Sequence, residues 1–139
     1  MKNSNHKISL TIDSTVQDAW GIIGAVNGVD KWLDPITSCR VEGNKRYCST
    51  EAGEFSEDIL KVDHENKSFK YAIPVQNMIP VQNIIGEMKV LDAPGNKATI
   101  EWSWNFDVEA TKEEAAKEAF TMVGNMGIKG IENYIQTKA

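Results

Sequence analysis

The chain is poor in the residues that most often carry catalysis or bind metals. Of its 139 residues only two are cysteine and two are histidine. Cys39 and Cys48 lack CxxC spacing, and neither His6 nor His64 has a cysteine or a second histidine nearby. No metal site and no cofactor is therefore expected. Positive charge is also short: 15 lysines and arginines face 20 aspartates and glutamates, a net charge of −5. No broad positive field exists to hold a nucleic-acid backbone, so nucleic acid is excluded as a partner. No apolar run approaches the roughly 20 residues of a membrane span, so stable membrane insertion is not expected. The start, Met1-Lys2-Asn3-Ser4-Asn5-His6, has no apolar signal-peptide core behind it, which predicts a cytoplasmic protein. Serines are scattered without a paired base, and there is no phosphate-cradling glycine loop.

What is present is 41% hydrophobic residues in a length suited to one core, so a single domain over residues 1–139 is expected. Ile8, Leu10 and Ile12 alternate with polar residues and predict a first strand over residues 7–13. Asp13-Ser14 reads as the cap of a helix carrying Val16, Ala19, Trp20 and Ile23, and residues 29–33 as a second short helix. Strand-like runs follow at residues 36–42, 46–50, 54–62, 68–73 and 81–91. After the turn-forming Asp92-Ala93-Pro94-Gly95-Asn96, a last strand puts Ala98, Ile100, Trp102, Trp104, Phe106 and Val108 on one face. A helix over residues 111–137 closes the chain, with Thr111 to Glu114 resembling a capping box and Ala116, Phe120, Val123, Gly127, Ile131 and Tyr134 in one stripe. Gly124, Gly127 and Gly130 cost about 1 kcal/mol each against alanine in a helix, which points to close packing or a kink. One strand, a short helical insert, six antiparallel strands and a long C-terminal helix make an α+β fold: a curved sheet of about seven strands wrapped around that helix. A tandem hexapeptide, PVQNMI then PVQNII over residues 74–85, reads as a duplication lengthening one loop, or as a loop covering something.

Strand parity brings chemistry inside. A two-residue turn at Gly43-Asn44 sets Cys39 opposite Cys48, where either a disulfide or two buried reduced thiols are possible. It also places Arg46, Cys48 and Thr50 on one face, and the following hairpins add Phe55, Glu57 and Ile59, then Phe69, Tyr71 and Ile73. Arg46 and Glu57 become diagonal neighbours in an apolar concavity and are expected to pair, because an unpaired buried charge is expensive. The pair reads three ways: a structural ion pair, an anchor for a ligand oxygen, or an acid–base site. Trp102 and Trp104 face the terminal helix and lie opposite Met88 and Gly86, with Gly86 leaving space beside an indole. Met122 and Met126 offer adaptable surface from the helix side.

Trp20, then Trp32-Leu33-Asp34-Pro35, Ser38-Cys39-Arg40-Val41-Glu42-Gly43, Arg46, Gly53, Glu57, Leu60, Tyr71-Ala72-Ile73, Pro80-Val81-Gln82-Asn83, Trp102 and the terminal helix occur in an informative order. In that order the chain resembles the START-like superfamily, which takes in Bet v 1-type proteins and the polyketide cyclases/dehydrases. The nearest subgroup is the small bacterial one similar to the methanol-oxidation accessory protein. The resemblance implies a helix-grip fold with an apolar pocket between sheet and terminal helix. It departs at the short loop after Glu42 and at the longer, apolar residues 74–79, which predict a partly closed entrance.

The leading expectation is a non-enzymatic protein, monomeric or homodimeric, that binds or transports a small hydrophobic or amphipathic molecule of lipid, polyketide-like or aromatic type. Tyr71, Met88, Trp102, Trp104, Phe120, Met122 and Met126 would be walls, Arg46 and Glu57 the polar end, and Trp32 and Met78 the entrance. The alternative is a cyclase- or dehydratase-like enzyme (a lyase or isomerase) using Arg46 and Glu57. A third is a protein-partner module like the superfamily's chaperone activators, which a filled interior beside an exposed apolar patch would favour.

Overall fold

The alternating apolar residues assemble seven antiparallel strands into one curved sheet. In the computed structural model, which describes residues 1–138, the strands are β1 (Lys2–Ile12), β2 (Ser38–Glu42), β3 (Lys45–Thr50), β4 (Gly53–Asp63), β5 (Ser68–Ile73), β6 (Gln82–Ala93) and β7 (Lys97–Val108). Their order is β1-β7-β6-β5-β4-β3-β2, so the first strand pairs with the last and the rest form a meander. Two register shifts, between Ile59 and Lys61 and between Gln82 and Ile85, bend the sheet as bulges do. Helix α1 (Val16–Ile23) follows β1, and a 3-10 turn (Val29–Lys31) precedes β2. The long helix α2 (Glu113–Lys138) lies across the face of β1 and β7. No helix among the described residues is long and apolar enough to cross a membrane.

Several local expectations shift. Strand β1 begins at Lys2, five residues before its apolar alternation, because Asn3 bonds Asn105 and Asp107 on β7 in place of apolar contacts. The cap of α1 is Thr15, not Asp13-Ser14; its hydroxyl accepts from the Asp18 amide at 3.1 Å. Thr111 caps nothing, since residues 110–112 form a 3-10 turn. Glu113 instead turns back to β1, accepting from Ser4 Oγ at 2.5 Å and from Lys2 Nζ at 2.9 Å. Those contacts hold its carboxyl down at about 2, the Ser4 hydrogen bond first and Lys2 next.

The expected inward face of β7 is buried along its length, from Ala98 to Val108. Met88 lies opposite Trp102 and Gly86 opposite Trp104, as their spacing from the turn requires. The three glycines of α2 are points of close approach. A methyl group at Gly124 would meet Ile8 and Trp104, one at Gly127 would meet Trp102 and Trp32, and one at Gly130 would lie 1.8 Å from the Trp32 carbonyl oxygen. The helix thus rests on four bulky side chains, Ile8, Trp32, Trp102 and Trp104, and on the backbone at Trp32, through which it holds the segment of residues 29–36 over the sheet.

Candidate functional site

The inward residues of β3, β4 and β5 converge where the sheet curves away from α2. Arg46 and Glu57 are direct cross-strand partners, not diagonal ones, because the β3–β4 turn is Glu51-Ala52 with Thr50 facing Gly53. Both are buried, at 6% and 5% exposure, and Arg46 Nε donates to Glu57 Oε1 at 2.5 Å. Arg46 Nη1 donates to the Val26 carbonyl at 2.6 Å, and the guanidinium carbon sits 5.1 Å from the Phe69 ring centre and 5.8 Å from that of Tyr71. Burial opposes the arginine's charge, but the Glu57 charge and hydrogen bond outweigh it, so the guanidinium is held above its ordinary value.

Val26 receives that bond in a backbone form that β-branched residues avoid. Its φ is 68°, and the Asn27 amide bonds the Ala25 carbonyl at 2.7 Å across it, a γ-turn of the rarer, strained hand. Gly28 follows at φ 86°. Arg46 therefore fastens a strained loop that leads into the segment covering the sheet.

Tyr71 completes the polar end. Its ring lies across Gly86, where a methyl group would come within 2.3 Å of it, so the space expected beside an indole is taken by the phenol ring. The hydroxyl then accepts from Trp102 Nε1 at 2.9 Å. Burial, then the Glu57 charge, raise the phenol above its ordinary value, so it remains a protonated donor. No buried side-chain nitrogen or oxygen among the described residues lacks a partner.

These groups face a cavity of about 40 Å³ walled by Val29, Trp32, Leu33, Ile36, Cys48, Phe55, Met88 and Trp102 as well. That is room for one or two water molecules, far below the roughly 300–1,000 Å³ of ordinary small-molecule sites. Two larger surface hollows share its walls. One of about 430 Å³ runs along α2 outside Trp32 and Leu33 and includes Met126, Gly130 and Tyr134. The other, about 260 Å³, lies outside Phe55, between the β3–β4 turn and Met78 of the loop before β6.

Six of the expected residues thus meet at the cavity: Trp32, Arg46, Glu57, Tyr71, Met88 and Trp102. Trp104 and Phe120 do not line it; their rings stack 4.9 Å apart in the packed base of the core. Met122 and Met126 are 67% and 42% exposed, so neither is an interior wall. The glycine stripe sets the phase of α2 and turns both methionines outward. Met78 is exposed at the rim of the outer hollow. Sequence reasoning passed over Val29, Leu33, Ile36, Cys48 and Phe55 as walls, although the parity that placed Arg46 also placed Cys48 and Phe55. Val26 carried no signal, since nothing in a valine announces a positive φ. No group of three or more histidine, cysteine or acidic side chains able to hold a metal ion occurs among the described residues.

A curved antiparallel sheet gripping one long C-terminal helix, with a buried polar group at its concave end, defines the helix-grip class. Within that class the chain belongs to the family described as polyketide cyclase / dehydrase and lipid transport, whose model matches residues 6–134. Among solved structures it is similar to an uncharacterised protein from Bacillus thuringiensis, at 22% identity and a TM-score of 0.86 over 96% of this chain and 99% of that one. It is also similar to the protein XoxI from Bacillus cereus, at 23% identity and a TM-score of 0.83 over 96% of each chain. A protein from Nitrosospira multiformis overlays at 16% identity with a TM-score of 0.80, covering 98% of this chain and 100% of that one. No curated protein matches the chain.

Proposed function

We propose that the protein binds a small, uncharged or amphipathic apolar molecule between the sheet and the segment of residues 29–36, without transforming it. The observation that carries this reading is the buried Arg46–Glu57–Tyr71 group facing an apolar cavity walled by Trp32, Met88 and Trp102. A chain that needed only a filled core would lose little by replacing such an ion pair with apolar side chains. Admission of a ligand requires Trp32 and Leu33 to swing outward, which would merge the cavity with the 430 Å³ hollow beyond them. The family description, which names lipid transport beside cyclisation and dehydration, supports the same class of ligand. A catalytic use of Glu57 has less support, because its Oε1 is engaged by Arg46 and no second base stands beside it.

The test is titration with N-phenyl-1-naphthylamine and 1-naphthol, followed through tryptophan emission, since Trp32 and Trp102 border the cavity. Saturable binding that weakens in Arg46→Met is the expected result. Absence of saturable binding, in both the native protein and Trp32→Ala, overturns the reading. One observation favours a second reading as a protein-partner module: the interior is nearly filled, while Val75 and Met78 of the loop before β6 stand 79% and 52% exposed. Under that reading Val75→Ser/Met78→Ser abolishes partner capture and leaves probe binding unaltered.

A further inference from the structure

Cys39 and Cys48 take no part in the polar end of the cavity, yet Cys48 forms part of its wall. The two residues are cross-strand partners in the β2–β3 hairpin. Its turn is two residues long, with Gly43 at φ 61° and Glu42 facing Lys45. Counting outward from that closing pair, hydrogen-bonded and non-hydrogen-bonded pairs alternate, and Cys39/Cys48 falls on a non-hydrogen-bonded one. Such pairs hold their Cα atoms about 4.5 Å apart with side chains on the same face. Disulfides span Cα separations of about 4.4–6.8 Å, so the backbone spacing of this pair admits a disulfide without moving a strand.

The two thiols are unequal. Cys39 is partly exposed and Cys48 is 1% exposed. The neighbouring Cys48 thiol, aided by the Arg46 charge against the effect of burial, lowers Cys39 below the ordinary thiol value. The Cys39 sulfur and burial push Cys48 up. One sulfur is thus within reach of a small oxidant in solvent, and the other is shielded from it.

We propose that Cys39 and Cys48 are a peroxide-reactive dithiol in which Cys39 is the attacking sulfur and Cys48 the resolving one. The Cys39 sulfur displaces one oxygen of hydrogen peroxide, forming a sulfenic acid and releasing the first water with the thiol's proton. The Cys48 sulfur then displaces the sulfenic hydroxyl, which leaves with the Cys48 proton as the second water. In sum, two thiols and one peroxide give one disulfide and two waters. The bond closes within the hairpin, beside the cavity and independently of any ligand, so it stands or falls apart from the binding function.

Treatment of the native protein with equimolar to tenfold hydrogen peroxide, alkylation and tryptic mapping tests this. Arg40, Lys45 and Arg46 lie between the cysteines, so trypsin separates the two unless a disulfide joins them. The expected result is that both thiols are lost together, the two peptides appear joined, the chain does not form covalent dimers, and dithiothreitol restores both thiols. In Cys48→Ala, Cys39 should stop at a sulfenic acid that dimedone traps. In Cys39→Ser, Cys48 should react at least tenfold more slowly than the native pair. The proposal is overturned if Cys39 advances to sulfinic acid or pairs between chains while Cys48 remains alkylatable, or if neither thiol reacts. The native mapping decides the matter even if a variant misfolds.

Discussion

Removing either half of the Arg46–Glu57 pair should cost more stability than removing both. Each side chain is only 7% exposed, and the N–O separation is 2.5 Å. With an effective dielectric of about 20, opposite charges about 4 Å apart attract by roughly 4 kcal/mol, and breaking a buried pair by removing one partner typically costs about 3–5 kcal/mol. Glu57→Gln leaves the guanidinium buried and uncompensated, while its bond to the Val26 carbonyl survives. Arg46→Met strands the carboxylate and also frees that strained carbonyl, so it should be the worse of the two. Arg46→Met/Glu57→Leu restores an apolar interior of similar volume and should return to within about 1–2 kcal/mol of the native protein. Against a total stability of about 5–15 kcal/mol, each single change removes a large share, roughly 10–20 °C in Tm. Urea unfolding monitored by tryptophan emission supplies the cycle, provided the m-value is unchanged. Two single variants that each lose under about 1 kcal/mol, or losses that simply add in the double variant, would refute the description of this pair as buried and coupled.

Three further outcomes follow from the packing. Gly130→Ala should destabilise by about 1–3 kcal/mol, although helix propensity alone favours it by about 1 kcal/mol, because its methyl group meets the Trp32 carbonyl; a rise in Tm on calorimetry would refute this close approach. Trp32→Ala should cost about 3–5 kcal/mol in urea while increasing the affinity for N-phenyl-1-naphthylamine several-fold by joining the cavity to the outer hollow; unaltered affinity would show that Trp32 is not the barrier. Glu113 is held at about 2 against an ordinary 4.5, so its contribution to stability is intact above 4.5 and is lost as the pH falls from there toward 2. Thermal melts between pH 6 and 2.5 should therefore fall more steeply for the native chain than for Glu113→Gln, and parallel curves would count against the Ser4 and Lys2 contacts.

The parts of this fold that were legible in the sequence are those where one side chain after another obeys a single period. Strand β7 and its facing residues on β6 were readable to the individual pair, because the turn Pro94-Gly95-Asn96, closed by Ala93 opposite Lys97, sets the register and tryptophans cannot be placed outward cheaply. Arg46 and Glu57 were legible as inward and paired, since parity survives a shift of two residues in a hairpin. Their direct opposition was not, because either Glu51-Ala52 or Ala52-Gly53 can make the turn. The stripe of α2 and the close packing at its glycines were legible, but Met122 and Met126 were expected as walls beside that stripe, whereas the glycines bring the helix so close to the sheet that no room is left for them inward. The small size of the cavity had no signature at all, for it depends on where residues 29–36 settle, and that is decided by Gly130 and by a valine in an unfavoured conformation.

The repeated PVQN of residues 74–77 and 80–83 adopts two structures from one text. In the first copy Gln76 folds a loop around itself, accepting from the amides of Met78 and Ile79 and donating to the carbonyls of Ile79 and Val81. In the second copy Gln82 opens strand β6. Excising residues 74–79 would splice Ile73 directly to the second copy, leaving every pairing from β6 onward with the same neighbours it has now. The hairpin between β5 and β6 therefore carries six residues of slack, and a single deletion or reduplication can retract or extend the apolar rim without touching the frame that holds Arg46 and Glu57.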